Sequence, residues 1–196
     1  IVAEPMKGTR PRDPDPQRDA ALAEELEQDR KERSENIMAV DVMRNDLSRV
    51  AASGSVVVDE LCKVRSYPAV HQMVSMVSAT LREGIHHVEA VKAAYPMASM
   101  TGAPKIKAME LIDAVEDLRR GLFSGALGHF DGAGDLDLNV VIRTIQFNAT
   151  TGTQRMSQLA LGAGNTESPR VALENTLDGH RFRLISQRCA RTVRVD

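Results

Sequence analysis

Cysteine is scarce in this chain. Cys62 and Cys189 are the only two among 196 residues. That is too few for a disulfide scaffold, and their spacing suits no metal, so a reducing, cytoplasmic setting is expected. Charge of one sign is lacking as well. The net charge is -2, which gives no field that gathers nucleic acid or an anionic membrane. No apolar run approaches the roughly 18–20 residues that span a bilayer, and the opening residues lack the charged-then-apolar order of a signal peptide. Internal repeats and low-complexity tracts are absent. What remains is the composition of a globular protein, 42% hydrophobic and 27% charged. Its length suits one domain that buries about two-thirds of its unfolded surface.

Residues 1–16 read as a loop rich in proline and charge. Asp15 and Pro16 make a helix start, with Asp as N-cap and Pro at the first helical position. Residues 17–46 read as one long helix, polar first and apolar later, broken at 51–54. Alternation over β-branched runs predicts strands at 56–64 and 67–81. A short helix over 88–95 follows, stopped by Pro96. Another is expected over 104–118, with Ala108, Leu111, Ile112 and Val115 as its core stripe. Strands over 124–130, 136–147 and 154–162, the first two joined by a turn at 131–134, and a last helix over 168–180 complete the order. Antiparallel meanders with packed helices indicate an α+β fold rather than a doubly wound parallel sheet.

Four stretches carry candidate chemistry. Lys7, between Met6 and Gly8, is either a solvated surface lysine or a nucleophile activated by desolvation. Glu32 and Glu35, three apart on a helix, share a face and can point at one hard cation; the same spacing also occurs on solvated faces. Ser99, Thr101 and Lys105 lie where a turn opens a helix, a place for polar or anionic groups or simply a capped helix end. Arg143 stands inside an apolar strand and, if buried, must meet an anion. That anion is a ligand or a structural acid. The backbone of Gly162, Ala163 and Gly164 allows close approach to a planar carboxylate.

Taken together, PMKGTRPR, SENIMAVDVMRNDLSRV, VHQMVS, SMTGAPKIKAMELID, FSGALGHFDGAGDLDLNVVIRT and LGAG resemble the chorismate-binding family. The resemblance covers nearly all of residues 3–177. It implies the C-terminal part of an α/β sandwich of antiparallel sheets with outer helices, and a Mg²⁺ cofactor. The chain enters a motif at once from Ile1 and is expected to be a piece of a longer protein. Lys7 resembles the aminodeoxychorismate synthase component I branch, because anthranilate and isochorismate synthases have Ala there. Gln72 stands where anthranilate synthases carry His. The resemblance implies that Lys7 attacks chorismate C2 and that ammonia from a glutamine amidotransferase then displaces it. Glu35, Glu32 and Glu174 would serve the metal. Arg143, Gly162, Ala163, Gly164 and Ser99 would bind substrate, and Thr101 would lie along the ring.

After Gly164 the pattern departs. The family's second metal Glu falls on Asn175, beside Glu174, and its substrate Lys on Gly179. A chorismate-binding domain is therefore expected over 1–180, with a divergent basic tail over 181–196. Anthranilate synthase or another chorismate enzyme is the enzymatic alternative, and a truncated, non-catalytic remnant is an alternative of another class.

Overall fold

In a computed structural model, the described residues are 1–117, 120–132 and 134–142, together with the backbone of the strands at 145–148, 153–156 and 193–195. In order they form β1 (Val2–Ala3), β2 (Met6–Pro11), α1 (Pro16–Gln28), α2 (Arg30–Ser48), β3 (Val57–Ser66), β4 (Val70–Ser78), α3 (His87–Ala94), a 3-10 turn (Ala98–Met100) and α4 (Lys105–Val115). Then come β5 (Ala126–Phe130), β6 (Leu136–Val140), β7 (Ile145–Asn148), β8 (Thr153–Met156) and β9 (Val193–Val195). The expected α+β class holds. The helix expected over 168–180 lies outside the described residues.

The main sheet is antiparallel and centred on β4. β3 pairs with one edge of β4, while β1 and β2 lie in line along the other. Beside β1 run β9, β6 and β5. The expected opening loop is thus a pair of strands. The prolines and charges that suggested a loop are tolerated because, among the described residues, β2 pairs only with β4, and an edge strand need not offer every N–H to a neighbour.

The expected long helix is two. Asp29 adopts an extended backbone (φ -64°, ψ 111°) between them, and its carboxylate accepts from the N–H groups of Lys31 and Glu32. A side chain that caps α2 in this way stops α1, because it replaces the helical partners those N–H groups would have had. Asp15 caps α1 as expected, accepting from the Gln17 N–H, with Pro16 at the first helical position.

Helix α2 packs its face Asn36, Val40, Met43 and Leu47 on the sheet. Val40, Met43 and Leu47 join Ala3, Val77 and Met97 in the main core. A smaller cluster of Leu26, Cys62 and Met73 fixes α1. Asp19 of α1 adds a polar tie: it takes two hydrogen bonds from Arg12 (2.8 and 2.7 Å) and stands 2.9 Å from Nε2 of the buried His71. Arg12, with help from the Asp13 N–H and His71, holds the Asp19 carboxyl well below the usual carboxylate range.

Helix α4 departs from expectation. None of its residues is buried, and Leu111 and Val115 of the predicted core stripe are 55% and 77% exposed. Periodicity marks which face is apolar, but among the described residues no layer covers that face.

Candidate active site

Lys7 sits on a β-bulge. Met6 pairs with Val74 and Thr9 with Gln72, so Lys7 and Gly8 stand together opposite the single residue Met73. A bulge of this kind turns a side chain away from the regular alternation of the strand. Gly8 makes it possible with φ +84°. The same residue lies hard against the next layer: a Cβ on Gly8 would stand 3.0 Å from Glu32 Cβ, 3.0 Å from Leu26 Cδ1 and 3.2 Å from Glu32 Oε2. The half-buried Lys7 therefore precedes a backbone position in contact with one of the two helix acids.

Gly8→Ala is accordingly expected to destabilise the fold by about 1–3 kcal/mol, through positive-φ strain and overpacking. Gly132→Ala meets open space and should stay within about 0.5 kcal/mol. Urea unfolding of both variants checks this; equal midpoints would contradict the close approach.

The two acids owe their placement to the start of α2. Asp29 caps that helix and also accepts from Arg10 of β2 at 2.8 Å, so one carboxylate ties the helix end to the Lys7 strand. The Glu32 N–H is the main cause of the lowered Asp29 pKa. Glu32 and Glu35 begin a stripe that continues through Ala39 and Val42 to Asp46, three or four residues apart at each step. Ala39 and Val42 pack on Ala98 of the 3-10 turn. Gly8 and that turn therefore rest on the same side of α2, separated by about two helical turns or some 10 Å of axis. Glu35 lies between them, with Lys31 3.7 Å away.

The turn that Ala98 seats on this stripe also carries Ser99, and Thr101 follows it. Ser99 is exposed, and the Thr101 hydroxyl donates to the Met97 carbonyl at 3.2 Å. Lys105, at the start of α4, donates to Asp46 at 2.8 Å and to the Ala94 carbonyl at 3.2 Å. Asp46 is buried and Lys105 nearly so, with side chains 1% and 10% exposed. Burial pushes the Asp46 carboxyl up despite Lys105. Its Oδ1 has no hydrogen-bond partner among the described residues.

Glu32 and Glu35 thus lie along the α2 stripe that Gly8 and the 3-10 turn flank; Lys7 precedes Gly8 on β2, and Ser99 and Thr101 lie at the turn. Arg143, Gly162, Ala163, Gly164 and Glu174 lie outside the described residues. Among the described residues no group of three or more metal-binding side chains occurs. Two carboxylates on successive helical turns still fit Mg²⁺, which keeps several waters and takes one or two carboxylates plus oxygens from a substrate.

Sequence reasoning missed the supports. Asn36 is fully buried; its carbonyl accepts from the Ser75 hydroxyl, and its amide donates to the Pro5 carbonyl at 3.4 Å. A polar residue within an apolar helical stripe was the available signal. Gln72, 5% exposed, meets Gly8 and Thr9.

Against known proteins, the chorismate binding enzyme family matches residues 1–167. The chain is 52% identical over 145 residues to the aminodeoxychorismate synthase of Streptomyces griseus, covering 74% of this chain and 20% of that protein. It is 48% identical to aminodeoxychorismate synthase component 1 of Escherichia coli strain K12, covering 74% and 32%. Among solved structures, anthranilate synthase component I from Streptococcus pneumoniae TIGR4 superposes with a TM-score of 0.65 at 34% identity, over 74% of this chain and 31% of that one. The chain spans 20% to 32% of the length of these two curated relatives. The matched region runs through the bulged strand, α2 and the 98–105 turn alike, and this chain belongs to the chorismate binding enzyme family.

Proposed function

We infer that the chain carries the chorismate chemistry of an aminodeoxychorismate synthase, forming 4-amino-4-deoxychorismate from chorismate and ammonia. The observation that carries this reading is Lys7 on a bulge whose Gly8 abuts Glu32, in a chain about half identical to aminodeoxychorismate synthases. The Lys7 nitrogen bonds to C2 through its lone pair, the ring double bonds shift, and the C4–O bond breaks, the hydroxyl leaving as water with the proton that the attacking nitrogen gives up. Ammonia then bonds to C4, the double bonds shift back, and the C2–N bond breaks to return Lys7. Glu32 and Glu35, with Glu174, are assigned to hold Mg²⁺. When bound, the metal supplies positive charge against a substrate carboxylate. Arg143 and the Gly162–Gly164 backbone are assigned to the other carboxylate, and Ser99 and Thr101 to the ring and its substituents. A glutamine amidotransferase is the proposed source of ammonia, which places the protein before p-aminobenzoate formation.

Incubating the full chain with chorismate, Mg²⁺ and ammonium, then adding the lyase that removes pyruvate, is expected to yield p-aminobenzoate. Omitting Mg²⁺ should abolish it. Anthranilate as the product would replace this reading with that of an anthranilate synthase.

A further inference from the structure

A bulge frees a side chain from the strand's alternation, but it also removes ladder hydrogen bonds and leaves its peptide groups in need of other partners. At Lys7 both flanks are pinned from β4. Upstream, the Pro5 carbonyl accepts from the Ser75 N–H at 3.0 Å and from Asn36 Nδ2. Downstream, the Gly8 carbonyl accepts from Gln72 Nε2 at 2.6 Å, and Gln72 Oε1 accepts from the Thr9 hydroxyl at 3.0 Å. Gln72 is buried on the central strand, with β3 paired on its other side through Arg65. Its amide thus reads the two residues after Lys7 with one donor and one acceptor. Glycine at position 8 supplies no conformational preference of its own to hold that shape.

We propose that Gln72, acting with Thr9, is a positioning residue that fixes the Lys7 bulge so that the amine meets its target carbon. The proposal rests on Lys7 being the nucleophile. Displacing a reacting group by about 1 Å can cost on the order of 100-fold in rate. Gln72→Met, similar in size but unable to donate to Gly8, is expected to slow formation of the Lys7–substrate adduct by about 10–100-fold. The KM for chorismate should stay within about twofold, because the change acts on the reacting group and not on uniform binding. Thr9→Val removes a single neutral hydrogen bond and should slow the adduct step by about 2–10-fold. Thr9→Ser, which keeps the hydroxyl, should restore the rate. Combining Gln72→Met with Thr9→Val should cost little more than Gln72→Met alone, since the pair acts as one unit.

The adduct rate constant on the full chain is read by quenched-flow mass spectrometry. It reports only folded, reacting molecules, so partial misfolding lowers the amplitude and leaves the rate. If Gln72→Met does not fold, the Thr9→Val and Thr9→Ser pair decides. An unchanged adduct rate in Gln72→Met, or equal rates in the two Thr9 variants, overturns the positioning role while Lys7 stands. No adduct in the unsubstituted protein, or one that survives Lys7→Ala, overturns both readings.

Discussion

Lys7→Ala is expected to abolish the covalent adduct with chorismate and to lower aminodeoxychorismate formation by on the order of 1,000-fold or more, the usual scale for removing a nucleophile. Lys7→Arg should be nearly as inactive, since a guanidinium stays protonated and cannot attack carbon. That variant separates nucleophilicity from charge: if positive charge alone were needed, Lys7→Arg would keep much of the activity. The fold should tolerate both changes. Lys7 is half-buried on a bulge next to a sheet edge and belongs to none of the core clusters. Thermal unfolding near that of the unsubstituted protein, with the adduct absent by mass spectrometry, is the expected combination. An adduct on Lys7→Ala would move the nucleophile elsewhere.

The second large effect concerns stability. Lys105→Met is expected to cost about 3–5 kcal/mol at neutral pH, because it strands a buried carboxylate without its cation. Asp46 is 1% exposed, and its second oxygen already lacks a partner among the described residues. The pH dependence follows in sign. Burial raises the Asp46 pKa in the folded protein, with Lys105 and Arg49 opposing. Between its ordinary unfolded value and that raised value, the folded state holds a proton that the unfolded chain has released. Stability therefore falls as pH rises through this window. Removing Lys105 raises the folded value further and extends the window upward.

The Lys105→Met penalty should accordingly shrink on acidification, as Asp46 becomes neutral. Asp46→Asn combined with Lys105→Met should recover much of the loss. Urea unfolding at pH 5 and 7.5 checks both points. A penalty independent of pH would mean that lost packing, and not the stranded charge, sets the cost. The same lysine holds the Ala94 carbonyl and opens α4, so loosening the pair should also disturb Thr101.

Local signals carried far where the chain governs itself. The Asp15–Pro16 helix start, the β3–β4 pair, α3 and the 131–134 turn needed only caps, alternation and breakers, which act over a few residues. Membership in the chorismate binding enzyme family was legible in the motifs, because residue types and order survive in the string. The Lys7 strand was not legible as a strand: its proline and charges belong to an edge, and edges are defined by neighbours. The α4 stripe was legible as apolar, but its coverage was not, since coverage depends on what other layers do, and among the described residues none covers it.

The sequence by itself determined which chemical groups are present and on which helix faces they recur, because the geometry of a helical turn converts spacing into direction. Only the tertiary structure decided that Lys7 and Gly8 share one partner on β4, that Gly8 meets Glu32, that Gln72 supports the bulge, and that Lys105 neutralises Asp46 across 59 positions of chain. Such contacts join residues far apart along the chain, and what fixes them is the pairing of β2 with β4 and the packing of α2 across the sheet, which no local rule encodes.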